Sequence, residues 1–133
     1  MGTKGKEIVG VNVDELLKLL NKAYADEWLA YYQYWVGAKV AAGRMRGIIA
    51  GELKEHAEEE LRHADMLVER MLQLGGKPLL TPEAILKETN CGYDAPEDPC
   101  TKKLLAQNIK GEQCAIATYK KLYDFVKGKD PIT

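Results

Sequence analysis

Apolar side chains recur every three to four residues along three long segments of the chain, which is the spacing of amphipathic helices. The pattern predicts three long helices and one short helix, over residues 12–42, 45–74, 82–89 and 101–127. Glycines between the first two segments indicate a tight turn, whereas residues 77–99 form a longer connection that carries the short helix. The sequence therefore predicts an all-α fold. Two long antiparallel helices, a crossover with a short helix and a third long helix would form a bundle.

Each long helix carries ionisable side chains on the face that should otherwise be apolar. They are Glu27 on the first helix, His56, Glu60 and His63 on the second, and Glu112 on the third. A buried carboxylate without a partner is costly, so a compensating group is expected. Carboxylate and imidazole ligands together suit iron or manganese better than a metal that prefers thiolates. Because these residues lie well inside their helices, the sequence predicts a metal site at one level of the bundle.

The remaining members of these faces are expected to be core residues. Trp28 and Trp35 follow Glu27 at helical spacing and are interpreted mainly as core aromatics. On the third long helix, the apolar face is expected to include Leu105 and Tyr119.

Length and charge favour a single domain and argue against several classes of partner. The 133 residues suit one domain, expected over residues 12–133 behind a flexible N-terminal arm of residues 1–11. Nineteen basic and twenty acidic side chains give a net charge of −1, so DNA binding is not expected. No apolar run reaches the length of a membrane span, and the N-terminus lacks the apolar core of a signal peptide. A cytoplasmic location is therefore expected.

The pattern of ligands resembles the ferritin superfamily of di-iron carboxylate bundles, which use a Glu, a Glu-x-x-His and a further Glu on successive helices. The spacing from Glu27 to Glu60 is similar to that in bacterioferritins, and Tyr34 matches a tyrosine that bacterioferritins keep beside the metals. The segment Lys110–Ile116, with the cysteine-bearing insertion before it, resembles the Dps-like proteins called thioferritins. Thioferritins combine a bacterioferritin-type metal site with a nearby cysteine pair.

This resemblance implies a site and an activity. The implied metal ligands are Glu27, Glu60, His63 and Glu112, with Tyr34 beside them. The implied cofactor is a di-iron centre, in which manganese or zinc could replace iron. The implied activity is oxidation of Fe(II) by hydrogen peroxide or oxygen, with storage of ferric mineral and protection against oxidative stress. The implied assembly is a homo-oligomeric cage, of twelve subunits for the complete protein.

Two departures from the family pattern qualify these expectations. Bacterioferritins bind haem through a Met directly after the second-helix metal Glu, whereas this chain has Leu61 there, so haem is not expected. The family also has a fourth helix with a second Glu-x-x-His, and at family spacing those ligands would lie beyond Thr133. The fourth helix is therefore expected to be absent from this chain. Either the chain is a truncated form of a four-helix protein, or another chain completes the site.

Two other functions stay open at this stage. One is a catalytically inactive ferritin-like fragment, or a structural assembly protein, whose carboxylates pair with lysines or water. The other is a rubrerythrin-like peroxidase, which is disfavoured because the chain has no rubredoxin set of cysteines.

The three cysteines, Cys91, Cys100 and Cys114, allow at most one internal disulfide. On a continuous helix, Cys100 and Cys114 would be separated by roughly 20 Å. That distance excludes a bond, because bonded Cα atoms lie about 4.4–6.8 Å apart. Cys91 lies in a loop that can fold back to Cys114, so these two residues are the candidate redox pair. Reduced thiols are the alternative in a cytoplasmic protein.

His56 also has two interpretations. It lies one helical turn before Glu60, where it could bind an additional metal at the edge of the site. The alternative is a hydrogen-bonded histidine that supports the ligands without binding metal.

Overall fold

This computed structural model describes residues 4–133 of the chain. They form three long and two short helices joined by loops. They are α1 (Lys4–Glu7), α2 (Val13–Val40), α3 (Arg46–Gln73), α4 (Pro82–Glu88) and α5 (Thr101–Val126). Within these residues there is no β-strand, only an isolated bridge between Ala42 and Cys100. The predicted all-α fold is confirmed. The four predicted helices begin and end within two residues of their expected boundaries.

Local sequence signals fix the ends of the helices. The Asn12 side chain caps α2, because its Oδ1 accepts a hydrogen bond from the backbone N of Glu15 at 3.0 Å. Thr81 caps α4 in the same way. At the end of α3, Gly75 adopts a φ of 80°, a conformation that glycine reaches without strain.

The long helices pack through two apolar clusters, one towards each end of the bundle. One cluster contains Leu16, Leu20, Ala23, Leu67, Met71, Leu74, Leu122 and Val126. The other contains Tyr34, Ala41, Ile49, Leu53, Ala57 and Leu104. The start of α2 meets the end of α3 in the first cluster and the reverse holds in the second, so the two helices run antiparallel. The level between the clusters holds Glu27 and Glu60.

Some residues expected in the core are exposed. Trp28 and Trp35 are 39% and 43% exposed. On α5, Leu105 is exposed and its neighbour Leu104 is buried. The expectations for Trp28, Trp35 and Leu105 were therefore wrong. The apolar stripe is wider than the arc that each helix buries against its neighbours, so residues at the margin of the stripe face outward.

The crossover runs along α2. Asn21 binds its first residues, accepting from the backbone N of Leu79 at 3.0 Å and donating to the carbonyl of Lys77 at 3.2 Å. Further on, the Lys22 ammonium lies 3.4 Å from the Glu88 carboxylate. These contacts place the start of the crossover and the end of α4 beside α2.

The segment expected to be an N-terminal arm, residues 1–11, lies partly outside the described residues, which begin at residue 4. Within its described part, Lys4–Glu7 form the single turn α1, and Gly10 N donates to the carbonyl of Lys129 at 2.9 Å. Among the described residues, no helix is long and apolar enough to cross a membrane.

Candidate metal centre

Three ligand atoms converge between α2 and α3, one each from Glu27, Glu60 and His63. They all lie within 4.8 Å of one another. His63 Nδ1 is 3.3 Å from Glu60 Oε2 and 3.5 Å from Glu27 Oε2. Glu60 and His63 share one face of α3 because they are three residues apart, and the antiparallel packing brings α2 to the same level. We refer to these three residues as the metal triad.

The metal triad is buried on its carboxylate side and open on its imidazole side. The Glu27 side chain is 4% exposed and that of Glu60 13%, whereas that of His63 is 49% exposed. Burial raises the pKa of the Glu60 carboxyl to about 9, with further contributions from a hydrogen bond to Glu27 and from the negative charge of Glu27. Glu60 therefore holds a proton at neutral pH when no cation is bound.

Two tyrosines, the buried Tyr34 and the partly buried Tyr119, line the same cavity as the carboxylates. Tyr119 of α5 donates a hydrogen bond to Glu27 Oε1 at 2.5 Å. Burial raises the pKa of Tyr119 well above its usual value, and the charge of Glu27 raises it further. Burial also raises the pKa of Tyr34, followed by the charges of Glu112, Glu60 and Glu27. Both phenols therefore stay protonated and can donate hydrogen bonds.

The contact between Tyr119 and Glu27 was not predicted from the sequence, because Tyr119 was assigned only to the apolar face of its helix. The signal available was its position on the same predicted face as Glu112, two turns further along the helix. A tyrosine at such a position can pack its ring and still present a hydroxyl to a buried acceptor.

Glu112 lies at the rim of the site. Its side chain is exposed, and it is not among the three residues whose ligand atoms cluster. It nevertheless lines the same cavity as Glu27 and Glu60, and its charge raises the pKa of both Tyr34 and Glu60. The structure thus brings three of the four predicted ligands together and leaves Glu112 adjacent to them.

His56 is engaged in a hydrogen bond one turn away from the metal triad. Asn108 of α5 donates from Nδ2 to His56 Nδ1 at 3.0 Å, and the Tyr34 ring meets the imidazole edge-on with centroids 6.1 Å apart. An amide nitrogen can only donate, so this imidazole nitrogen is the acceptor. His56 is therefore hydrogen-bonded within the bundle, and an additional metal at this position stays a prediction.

A cavity of about 410 Å³ connects the carboxylates to the crossover loop. Its walls include Glu27, Tyr34, Glu60, Cys91, Glu112 and Cys114. Cys91 and Cys114 form a disulfide with a Cα–Cα distance of 6.1 Å, and Cys100 is an exposed free thiol. The candidate redox pair and the candidate metal ligands therefore share one cavity.

The donor set fits a hard or borderline divalent cation. Two carboxylates and one imidazole match the ligand preferences of Fe(II) and Mn(II), and they also accommodate Zn(II). The proton on Glu60 and the hydrogen bond from Tyr119 stabilise two adjacent carboxylates in the metal-free protein, which would otherwise repel each other. A bound cation would also offset the repulsion between the two carboxylates, through its positive charge.

Comparison with known proteins agrees with this geometry. The ferritin-like domain family matches residues 17–133. The chain belongs to the ferritin-like family. Within that family it is Dps-like: a DNA protection during starvation protein from Pyrococcus furiosus is 34% identical over 130 residues. A bacterioferritin from Rhodobacter capsulatus is 29% identical over 111 residues.

Two solved structures of ferritin-like proteins superimpose on this one. The dodecameric thioferritin from Bacteroides fragilis, described as bacterioferritin-related, has a TM-score of 0.94 and 42% identity, covering 97% of this chain and 78% of that one. Dps from Thermosynechococcus elongatus has a TM-score of 0.82 over 98% of this chain and 78% of that one. At 20% identity, the second likeness concerns the fold alone.

This ferritin-like chain is shorter than the proteins it matches. The matched regions cover 96% and 84% of this chain, but only 69% of the Pyrococcus protein and 63% of the Rhodobacter protein. At the level of the family, membership supports iron binding and an iron-storage or ferroxidase role.

Proposed function

We propose that this chain binds Fe(II) at the metal triad and oxidises it with hydrogen peroxide or oxygen. The observation that carries the proposal is the convergence of Glu27, Glu60 and His63, each from inside a long helix, with ligand atoms within 4.8 Å. The ferritin-like family and its bacterioferritin and Dps members support iron as the cation. In this reaction Fe(II) is the substrate and ferric mineral is the product.

The metal triad and the residues around it release a proton, orient a carboxylate and attract cations when Fe(II) binds. A divalent cation displaces the proton of Glu60, because two negative carboxylates are favoured beside a positive ion and disfavoured without it. Tyr119 keeps Glu27 oriented throughout, since its hydroxyl holds one carboxylate oxygen and leaves the other facing His63. Glu112, at the rim, would attract further cations towards the cavity.

Oxidation by peroxide balances with two irons. Two Fe(II) ions give two electrons to one hydrogen peroxide molecule, which takes up two protons and becomes two water molecules. Consuming both reagents at one place keeps Fe(II) from generating hydroxyl radicals in solution. We propose that Tyr34, which can give one electron and one proton, lines the cavity as a reductant for the oxidant. In its reduced dithiol form the Cys91–Cys114 pair can give two electrons and two protons as its disulfide forms.

We propose that a second ligand set completes a di-iron centre, with Glu60 as a bridging ligand and Glu27, Glu112 and His63 as terminal ligands. The half-exposed imidazole of His63 borders a groove of about 800 Å³ whose walls are largely apolar, among them Met66, Leu67, Leu122 and Tyr123. A further helix packed on this groove would carry its ligands to the open side of the metal triad. Another segment or another chain would provide that helix.

We propose that the working form is a homo-oligomeric cage in the cytoplasm that protects against iron and peroxide. Its likeness to a dodecameric thioferritin favours twelve subunits. Sedimentation velocity of the purified chain measures the assembly directly.

Anaerobic calorimetric titration with Fe(II) tests the site itself. We expect saturable binding that Glu60→Ala and His63→Ala each weaken at least about tenfold, as loss of a metal ligand should. Glu52→Gln, an exposed change on the same helix, should leave binding unchanged. The competing function, a structural protein without catalysis, predicts weak binding that Glu60→Ala does not alter.

A further inference from the structure

The crossover loop is fastened to α2 by the carboxylate of Asp26, the residue directly before Glu27. Asp26 Oδ1 accepts from the backbone N of Asn90 at 2.8 Å and of Cys91 at 2.9 Å, and also from the Thr89 hydroxyl. Its Oδ2 accepts from Asn90 Nδ2 at 2.9 Å. One side chain of the metal-site helix therefore takes four hydrogen bonds from three consecutive loop residues.

The same network organises the loop on either side of this point. The Thr89 oxygen also accepts from the backbone N of Gly92 at 3.1 Å, which closes the turn around Cys91. Before the turn, the partly exposed pair of Lys22 and Glu88 contributes a longer contact of 3.4 Å. Hydrogen bonds to a charged acceptor are the stronger kind, so Asp26 is the principal attachment of the turn.

These contacts place Cys91 independently of its bond to Cys114. The Asp26 bonds reach the backbone of Cys91 and of its neighbours, not its sulfur. The polar contact of the Cys91 sulfur with Thr118 Oγ1 is long, at 3.8 Å, and would not by itself hold the residue. Because none of the Asp26 bonds involves the sulfur, reduction of the disulfide does not itself break them.

We propose that Asp26 is a positioning residue for the cysteine pair. It keeps Cys91 opposite Cys114 in the reduced protein. The disulfide can then re-form at the wall of the metal-site cavity while the loop stays in its position. Without this attachment, a flexible loop would lose conformational entropy each time the two thiols came together. Holding the loop in place in the reduced protein lowers that entropy cost of forming the disulfide. This role goes beyond iron oxidation and needs no metal.

A glutathione redox buffer measures this role in the metal-free chain of 133 residues. In bond formation the two thiols lose two protons and two electrons, and one glutathione disulfide takes them up and becomes two glutathione molecules. We expect Asp26→Ala to lower the equilibrium constant for disulfide formation about tenfold or more, since several bonds to a charged group are lost. Asp26→Asn and Asn90→Ala, which remove only part of the network, should each have a smaller effect in the same direction.

Asp124→Asn is the matched control, because Asp124 forms an exposed pair with Lys120 on α5 and should leave the equilibrium unchanged. The proposal is overturned if all three loop variants keep the wild-type equilibrium constant. A purely structural role for Asp26 would give that result, because it would stabilise the oxidised and reduced forms equally. Measurement of Fe(II) binding by the same variants is separate, so failure of the iron proposal would not alter this outcome.

Discussion

The two central carboxylates are accommodated by different means, although they lie side by side. Glu27 is buried and receives a hydrogen bond from the Tyr119 hydroxyl. Glu60 retains a proton, because burial and the charge of Glu27 raise its pKa to about 9. In the metal-free site the proton on Glu60 limits the repulsion between the two carboxylates, and a bound cation can take the place of that proton.

Tyr119→Phe removes the hydrogen bond to Glu27 and keeps the ring. We expect the free energy of unfolding to fall by about 1–3 kcal/mol, which is typical when a buried acceptor loses its donor. Urea denaturation of the metal-free protein measures the change. Tyr123→Phe, at a 57% exposed position of the same helix, serves as the control and should change the stability little. Equal effects of the two substitutions would contradict the assigned role of the Tyr119 hydroxyl.

The raised pKa of Glu60 predicts a pH dependence of stability. The native state holds this proton up to about pH 9, whereas an unperturbed carboxyl with a pKa of 4.5 loses it in the unfolded chain much earlier. The stability contribution is full below pH 4.5 and is lost as the pH rises towards 9. Unfolding in the presence of a chelator, at about pH 6 and about pH 8.5, should therefore show a loss that Glu60→Gln reduces, because glutamine cannot titrate. Parallel losses in both proteins would contradict the assignment.

On the scale of the element, α5 is shaped by the tyrosine that packs against it. Gly111 lies in the middle of this helix, where glycine usually costs about 1 kcal/mol relative to alanine. A Cβ atom at Gly111 would lie 2.9 Å from the hydroxyl oxygen of the buried Tyr34. The glycine is therefore explained by the close approach of Tyr34 and not by a turn.

Gly111→Ala should consequently fail to gain the usual helix stabilisation. We expect no increase in the free energy of unfolding, and a decrease if Tyr34 cannot move. Gly51→Ala, at an exposed position of α3 with nothing within 4 Å of its Cβ, should gain about 0.5–1 kcal/mol. Chemical denaturation measures both variants.

Removing the Tyr34 hydroxyl, which a Cβ at Gly111 would meet, provides the decisive comparison. In a Tyr34→Phe background the clash is gone, so Gly111→Ala should become as stabilising as Gly51→Ala. If Gly111→Ala stabilises the wild-type chain equally well, the close approach does not constrain the helix.

The helices and the candidate ligand positions within them could be predicted from the sequence because both depend on local periodicity; metal binding by those residues stays a prediction. Glu60 and His63 share a face of one helix by their spacing alone, and Glu27 interrupts an otherwise apolar face. Contacts between distant segments left no such signal. The bonds of Asp26 to the crossover and of Tyr119 to Glu27 depend on how helices are rotated and shifted against each other. Apolar periodicity also overestimated the buried arc, which is why the tryptophans of α2 were assigned to the core.

At the scale of the whole molecule, charge separates this chain from proteins that hold DNA electrostatically. With 19 basic and 20 acidic side chains, it carries no overall excess of positive charge to attract DNA phosphates. We expect no retardation of duplex DNA in a gel-shift assay at about 0.15 M salt, the physiological ionic strength. Retardation that weakens as salt is added would show a localised basic surface and contradict this expectation.

The most direct test of the account is iron oxidation by the protein itself. The chain is loaded with Fe(II) without oxygen and mixed rapidly with hydrogen peroxide while ferric absorbance is followed. We predict oxidation faster than in buffer alone, with about two irons consumed per peroxide, and loss of this acceleration in Glu60→Ala and Glu27→Ala. Oxidation no faster than in buffer, or acceleration that survives both substitutions, would contradict the claim that this chain oxidises Fe(II) at the metal triad.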